Sequence, residues 1–144
     1  MSLKSSEQSM SNYGDKEIQS IESRPLERWV NEHGSFHIHL EHPEFSALCP
    51  RSGYPDSGSI IVDYIPSGWL VELKDFKLYI NSFRDQRISH ENATNQIADR
   101  LFSEIAPASL RVIGDFMRRG GIKTVITVSK GEDYSFPVYH RGDL

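Results

Sequence analysis

The chain has 144 residues, 38% of them hydrophobic, and a formal net charge of −4 from 16 Lys+Arg against 20 Asp+Glu. That length fits one domain, and the single cysteine, Cys49, excludes an internal disulfide scaffold, a CxxC redox pair and a four-cysteine zinc site. The mildly acidic balance argues against a broad electrostatic grip on nucleic acid, which needs clustered Lys and Arg.

No apolar run approaches the ~18–20 residues of a membrane span, and the polar start lacks the apolar centre of a signal peptide. A cytoplasmic protein without a membrane partner is expected. Residues 1–15 are polar and Ser-rich and are expected to be a disordered tail ahead of a single folded domain over 16–144. Glu17–Val30 is mixed and fits a short helix or an arm laid on a neighbouring copy. In Ser35–Glu41, Phe36, Ile38 and Leu40 alternate with His37 and His39, the period of a half-buried strand. Cys49–Gly58 is dense in Gly, Pro, Ser and Asp and predicts a loop. Ser59–Ile65 is β-branched and aromatic and predicts a second strand.

Two helices follow. Leu73, Phe76, Ile80 and Phe83 recur at spacings of three and four within Leu73–Phe83. Ile97, Leu101 and Ile105 recur within Glu91–Ala106, with Ser89 as N-cap and Pro107 as the stop. Leu110–Met117 and Ile122–Val128 then alternate as strands, joined by Arg118–Gly121. The order ββααββ predicts an α+β fold, a four-stranded antiparallel sheet with two helices on one face. The open edges of so small a sheet invite pairing with further copies of the chain, so a homo-oligomer is expected.

Several residue types in this frame carry chemistry. Cys49 is either a small buried hydrophobe or a loop nucleophile; activation needs a donor or cation nearby, and Arg51 is the nearest in sequence. Asp56 is either a turn-former or a proton donor with a burial-raised pKa. Glu72, Lys74 and Lys77 cluster at the start of the first helix, where the lysines share a face that is either solvated or suited to a phosphorylated ligand. Arg118–Gly121 is a hairpin connection whose arginines and backbone N–H groups also suit phosphate. His90 and Glu91 open the second helix, where an acidic residue favours the dipole or accepts from a ligand's N–H groups. His37 and His39 face one side of a strand and suit zinc only with a third ligand. None is evident in the sequence, so a polar strand face is favoured and no metal is expected.

In order and spacing, CPRSGYPD (Cys49–Asp56), VELKDFKLY (Val71–Tyr79), SFR (Ser82–Arg84), HE (His90–Glu91) and RRGG (Arg118–Gly121) resemble the 7-cyano-7-deazaguanine reductase family, the nitrile reductases of queuosine biosynthesis. The resemblance implies the tunnelling fold, in which subunits close their sheets around a ring; the short members suggest a decamer of two pentamers. It implies a small deazapurine substrate, no direct nucleic-acid partner, and NADPH, two per substrate. Cys49 would form a covalent thioimidate with the nitrile, and Asp56 would donate protons. Val71, Glu72, Leu73, His90 and Glu91 match the substrate-contacting positions. Leu73, Lys74, Lys77, Arg119 and Gly120 match the cofactor-contacting ones. The chain departs from the family pattern at Tyr54, Ser57 and Asp75; the last adds negative charge beside the expected cofactor lysines. Two related readings share the fold: an amidinotransferase that adds ammonia to the nitrile on transfer RNA, and a zinc-dependent pterin-type enzyme using His37 and His39.

Overall fold

One long strand, Pro55–Ile65, β-branched and aromatic in its second half, lies inside the main sheet. The computed structural model describes residues 21–141. The expected tail at 1–15 lies outside them. The elements are β1 (Arg28–Val30), β2 (Ile38–Leu48), β3 (Pro55–Ile65), β4 (Trp69–Val71), α1 (Leu73–Asn81), α2 (His90–Ile105), β5 (Ser109–Phe116) and β6 (Val125–Gly131). A single 3-10 turn, Ser82–Asp85, extends α1. The main sheet has the order β2-β3-β5-β6, every pair antiparallel. Its strands and helices follow the expected ββααββ order.

The core lies between one face of this sheet and the helices. Phe45, Ala47, Ile60, Val62, Tyr64, Leu110, Val112 and Phe116 from the strands meet Phe76, Ile80, Ile97, Leu101 and Ile105 from the helices. Glu72 caps α1 by accepting from the backbone N–H groups of Lys74 and Asp75, and Ser89 caps α2 by accepting from Asn92. Ala106, in the left-handed region at φ 43°, closes α2 ahead of Pro107.

Four expectations are corrected. The first strand runs Ile38–Leu48 rather than Ser35–Glu41. A bulge between His42 and Phe45, at Pro43, lets it continue past the point where the alternation breaks. The predicted loop over Cys49–Gly58 contracts to Cys49–Tyr54, because Pro55–Gly58 pairs with β2 as the start of β3. The last strand begins at Val125 rather than Ile122. The mixed segment Glu17–Val30 is helical at 21–23, as expected, but it also supplies β1, which pairs with β4 in a separate two-stranded sheet; three-residue strands leave too little pattern to read.

The bulge sets which way the end of β2 faces. Side chains alternate faces along a strand. Before the bulge Ile38 and Leu40 pack toward the helices; after it Phe45 and Ala47 do. One extra residue thus turns the odd-numbered positions to the helix side, and the strand arrives there at Cys49.

Candidate active site

Three elements end where β2 ends. Cys49 donates its backbone N–H to the Tyr54 carbonyl at 2.8 Å and accepts from the Gly53 N–H at 2.9 Å, closing a tight loop. Gly53 sits at φ 76°, and a Cβ there would come within 2.6 Å of the Arg87 guanidinium. Leu48 donates to Gln86 O and accepts from Ile88 N–H, which pins the connection into α2 against the end of β2. That pin is why His90 and Glu91, 41 and 42 residues further along the chain than Cys49, open their helix beside it.

Asp56 enters from β3, paired with Ala47 and buried on the helix side. It is a strand residue, so the turn-former reading falls. His90 Nε2 lies 3.4 Å from Asp56 Oδ2, and its ring stacks on Phe116, centroids 4.1 Å apart and planes at 10°. Arg119 donates from Nη1 to Asp56 Oδ1 at 2.5 Å and from Nη2 to Ser52 Oγ at 2.8 Å. Its position follows from the hairpin behind it. Arg119 and Ile122 exchange two 3.0 Å backbone hydrogen bonds around Gly120 and Gly121, which sit at φ 57° and 82°. Two consecutive positive φ values are the tight-turn geometry that glycine allows.

The thiol is tuned by this setting. Hydrogen bonding from the Ser52 side chain, then from the backbone N–H groups of Ser52 and Arg51, brings the Cys49 pKa down to about 7, and the Arg119 charge adds to it. The cation near the thiol is therefore Arg119, not the side chain of Arg51. Cys49 is partly exposed, so the thiol is reachable.

Cys49, Asp56, His90 and Arg119 are thus together, with Glu91 exposed in the first turn of α2 beside them. Val71, Glu72, Leu73, Lys74 and Lys77 are not with them. Val71 belongs to the far end of the sheet, where its N–H meets the Tyr64 hydroxyl, and Tyr64 pairs with Ile38 at the start of β2. Nearly the whole of the 11-residue β2 lies between that end and Cys49, and Leu73 stands off the end of β2 by the run of α1 and its 3-10 turn, about 20 Å at ~1.5–2 Å per residue. Leu73 is exposed at the start of α1, and Lys77 reaches only a shallow polar hollow with His42, Glu44 and Asn81 partway along.

Asp75 is better placed than its sequence position implies. It is buried, accepts from Arg24 Nη1 at 2.7 Å and Nη2 at 3.0 Å, and accepts the Glu27 N–H at 2.7 Å. Its carboxylate is engaged first by Arg24 and the Glu27 N–H of the segment before β1, with Lys74 a weaker charge neighbour. Ser52 and Phe116 are site residues that sequence patterning does not single out. The Ser52 hydroxyl reaches the thiol only through the closure of the loop, and the stacking role of Phe116 needs the strand register.

A model of the QueF-like protein family matches residues 55–135. The chain is 48% identical over 122 residues to the NADPH-dependent 7-cyano-7-deazaguanine reductase of a Nitratiruptor species, covering 83% of this chain and 93% of that one. It is 45% identical over 124 residues to the protein of that name from Aquifex aeolicus, covering 85% and 94%. Among solved structures, the apo form of the archaeosine synthase QueF-Like superposes with a TM-score of 0.62 at 20% identity, over 72% of this chain and all of that one. That likeness shows the fold, an α+β tunnelling-type architecture. The chain belongs to the QueF-like family.

Proposed function

We propose that this member of the QueF-like family is an NADPH-dependent 7-cyano-7-deazaguanine reductase that works through a covalent thioimidate on Cys49. The observation that carries the reading is the lowered Cys49 thiol beside a buried Asp56 held by Arg119 and His90. A nitrile carbon is a poor electrophile for hydride. Thiolate addition makes it an imine-like carbon, provided a proton reaches the nitrogen as the C–S bond forms. Asp56 and His90 flank the position where that nitrogen would lie, and either passes on a proton without solvent. The same pair protonates nitrogen again after C–S cleavage returns the thiolate. Net, one nitrile takes up two hydrides and two protons to become an aminomethyl group.

NADPH, when bound, supplies the hydrides. The residues present fit it in charge and shape: Lys74 and Lys77 share one face of α1, and the Gly120–Gly121 turn exposes backbone N–H groups beside Arg118 and Arg119. Glu91 would accept from the amide N–H and amino group of the pyrimidine edge, and His90 would line the same pocket. Val71, Glu72 and Leu73 would contact the substrate, and Leu73 the cofactor, from a second copy, while Gly120 would contact the cofactor from the Cys49 side. Within one chain the start of α1 stands about 20 Å from the Cys49 end, the run of α1 and its 3-10 turn, too far for both to touch one small deazapurine. A homo-oligomer in which the α1 start of one copy meets the Cys49 end of another resolves this, and two stacked pentameric rings are the arrangement proposed.

The amidinotransferase reading loses support, since the Asp75 charge is paired chiefly with Arg24 and only secondarily with Lys74. Mixing the pure chain with the cyano-deazaguanine and NADPH, and following absorbance at 340 nm, tests the proposal. Substrate-dependent loss of NADPH is expected; its absence sinks the reductase reading.

A further inference from the structure

The helix-free face of the sheet carries a second cluster of chemistry-bearing side chains. The register sets His39, Asp63 and Arg111 directly opposite one another across β2, β3 and β5. His37, two residues from His39, shares their face. Asp63 Oδ1 lies 2.6 Å from His37 Nε2 and 2.7 Å from His39 Nδ1. Only 1% of the Asp63 side chain is exposed. Two imidazole nitrogens and one carboxylate oxygen therefore converge, all within 4.8 Å of one another. Asp63, from the neighbouring strand, is the third donor that the His37/His39 spacing lacks in the sequence.

What stands behind each donor is equally specific. His39 Nε2 is 2.7 Å from Glu41 Oε2, so the ring keeps a donor to Glu41 when a metal displaces the proton that Nδ1 now shares with Asp63. Arg111 donates to Asp63 Oδ2 at 3.0 Å, which fixes the carboxylate and leaves Oδ1 facing the histidines. A carboxylate behind a histidine and a donor behind a carboxylate are the supports that orient metal ligands. The donors face a cavity of about 460 Å³ that Tyr139 and His140 also line, roomy enough for an ion with a fourth ligand or water. Once a metal has displaced the proton between His39 and Asp63, the neutral histidines with Asp63, Glu41 and Arg111 leave the ligand set one charge negative, which favours a cation.

We propose that His37, His39 and Asp63 bind one divalent metal of the zinc class, away from the nitrile chemistry, where it ties β2 to β3. Imidazole with carboxylate selects such a metal over calcium or magnesium. A metal ~2.0–2.2 Å from each donor holds them ~3.3 Å apart. The present hydrogen bonds are shorter by about 0.6–0.7 Å, a gap that small side-chain rotations open.

The test uses the full chain with Cys49→Ser, which removes the competing thiolate, stripped with EDTA and titrated with Co²⁺. One Co²⁺ per chain is expected, with visible d–d absorption and no thiolate charge-transfer band. His37→Gln, His39→Gln and Asp63→Asn should each weaken binding at least ~10-fold. Circular dichroism checks that each variant is folded; if Asp63→Asn is not, the two histidine variants carry the test. No binding up to ~100 μM Co²⁺, or affinity unchanged in the folded histidine variants, overturns the proposal and leaves a hydrogen-bonded polar network. Because the Cys49→Ser chain lacks the nucleophile, the outcome is independent of whether the chain reduces nitriles.

Discussion

At the Cys49 loop, a thiol held at about 7 is about half thiolate at neutral pH, where an ordinary cysteine near ~8.5 offers a few per cent. The direction of the pH effect is set by that value. Below about 7 the nucleophile is protonated and both alkylation and turnover should fall. Iodoacetamide labelling across pH should therefore show a midpoint near 7, and Ser52→Ala, which removes the largest contribution, should move it upward. A wild-type midpoint near ~8.5 would contradict the geometry. Asp56→Asn keeps the shape but cannot give up a proton from an acid group, and it breaks the charged pair with Arg119. Turnover should drop by ~100-fold or more while the fold survives by circular dichroism; near-wild-type turnover would remove Asp56 from the chemistry. Cys49 and Asp56 are legible from the loop motif because both lie within eight residues of sequence. The role of Ser52 as the donor to the thiol, and of Arg119 as its cation, is not: each depends on where a loop or hairpin returns in space.

At the scale of elements, the strands show where pattern-reading stops. The alternation in Ser35–Glu41 is visible, but the bulge at Pro43 shifts the phase, so the second half of β2 reads as a break rather than a continuation. Both helices are legible because eleven or more residues keep a 3.6 period and a Ser N-cap marks one start. β1 and β4, three residues each, carry no period to find. The strand register also makes Gly58 a sensitive position. It pairs with Phe116, and a Cβ on it would meet the Asp115 carbonyl oxygen at 2.5 Å and Phe116 Cα at 2.8 Å. Backbone cannot swing aside, so Gly58→Ala should cost ~1–3 kcal/mol in urea unfolding and lower activity by moving the ring that His90 stacks on. A stability change near zero would contradict the tight approach. At the start of α1, the hydrogen bond from Arg24 chiefly, against the opposing effect of burial, holds the Asp75 carboxyl below the usual range. A depressed folded pKa contributes stability above the unfolded value of ~3.9 that is lost as pH falls through the folded value. Asp75→Asn should therefore lower stability at pH 7 by about 1 kcal/mol, discounted for the part-exposed Arg24, and flatten the acid limb of the stability curve. An unchanged acid limb would show that the pair contributes nothing measurable.

For the whole molecule, the separation of the residues named for substrate and cofactor is the informative fact. β2 is an edge strand, β6 is the other edge, and Leu73, Ile122 and Met117 are exposed apolar side chains near the two ends of the sheet. The proposed shared site predicts complementation. Cys49→Ala and a Lys74→Ala/Lys77→Ala double variant, each inactive alone, should recover roughly a quarter of wild-type turnover when co-assembled at equal amounts, as a random heterologous interface gives. No recovery in verified mixed oligomers would mean that each chain houses a complete site. The covalent step is tested most directly by intact mass. Wild-type chain mixed with 7-cyano-7-deazaguanine without NADPH should gain the mass of one nitrile, Cys49→Ala should gain none, and adding NADPH should return the wild type to its unmodified mass. An adduct that persists on Cys49→Ala, or no adduct on wild type at a pH above 7, would contradict the thioimidate on Cys49.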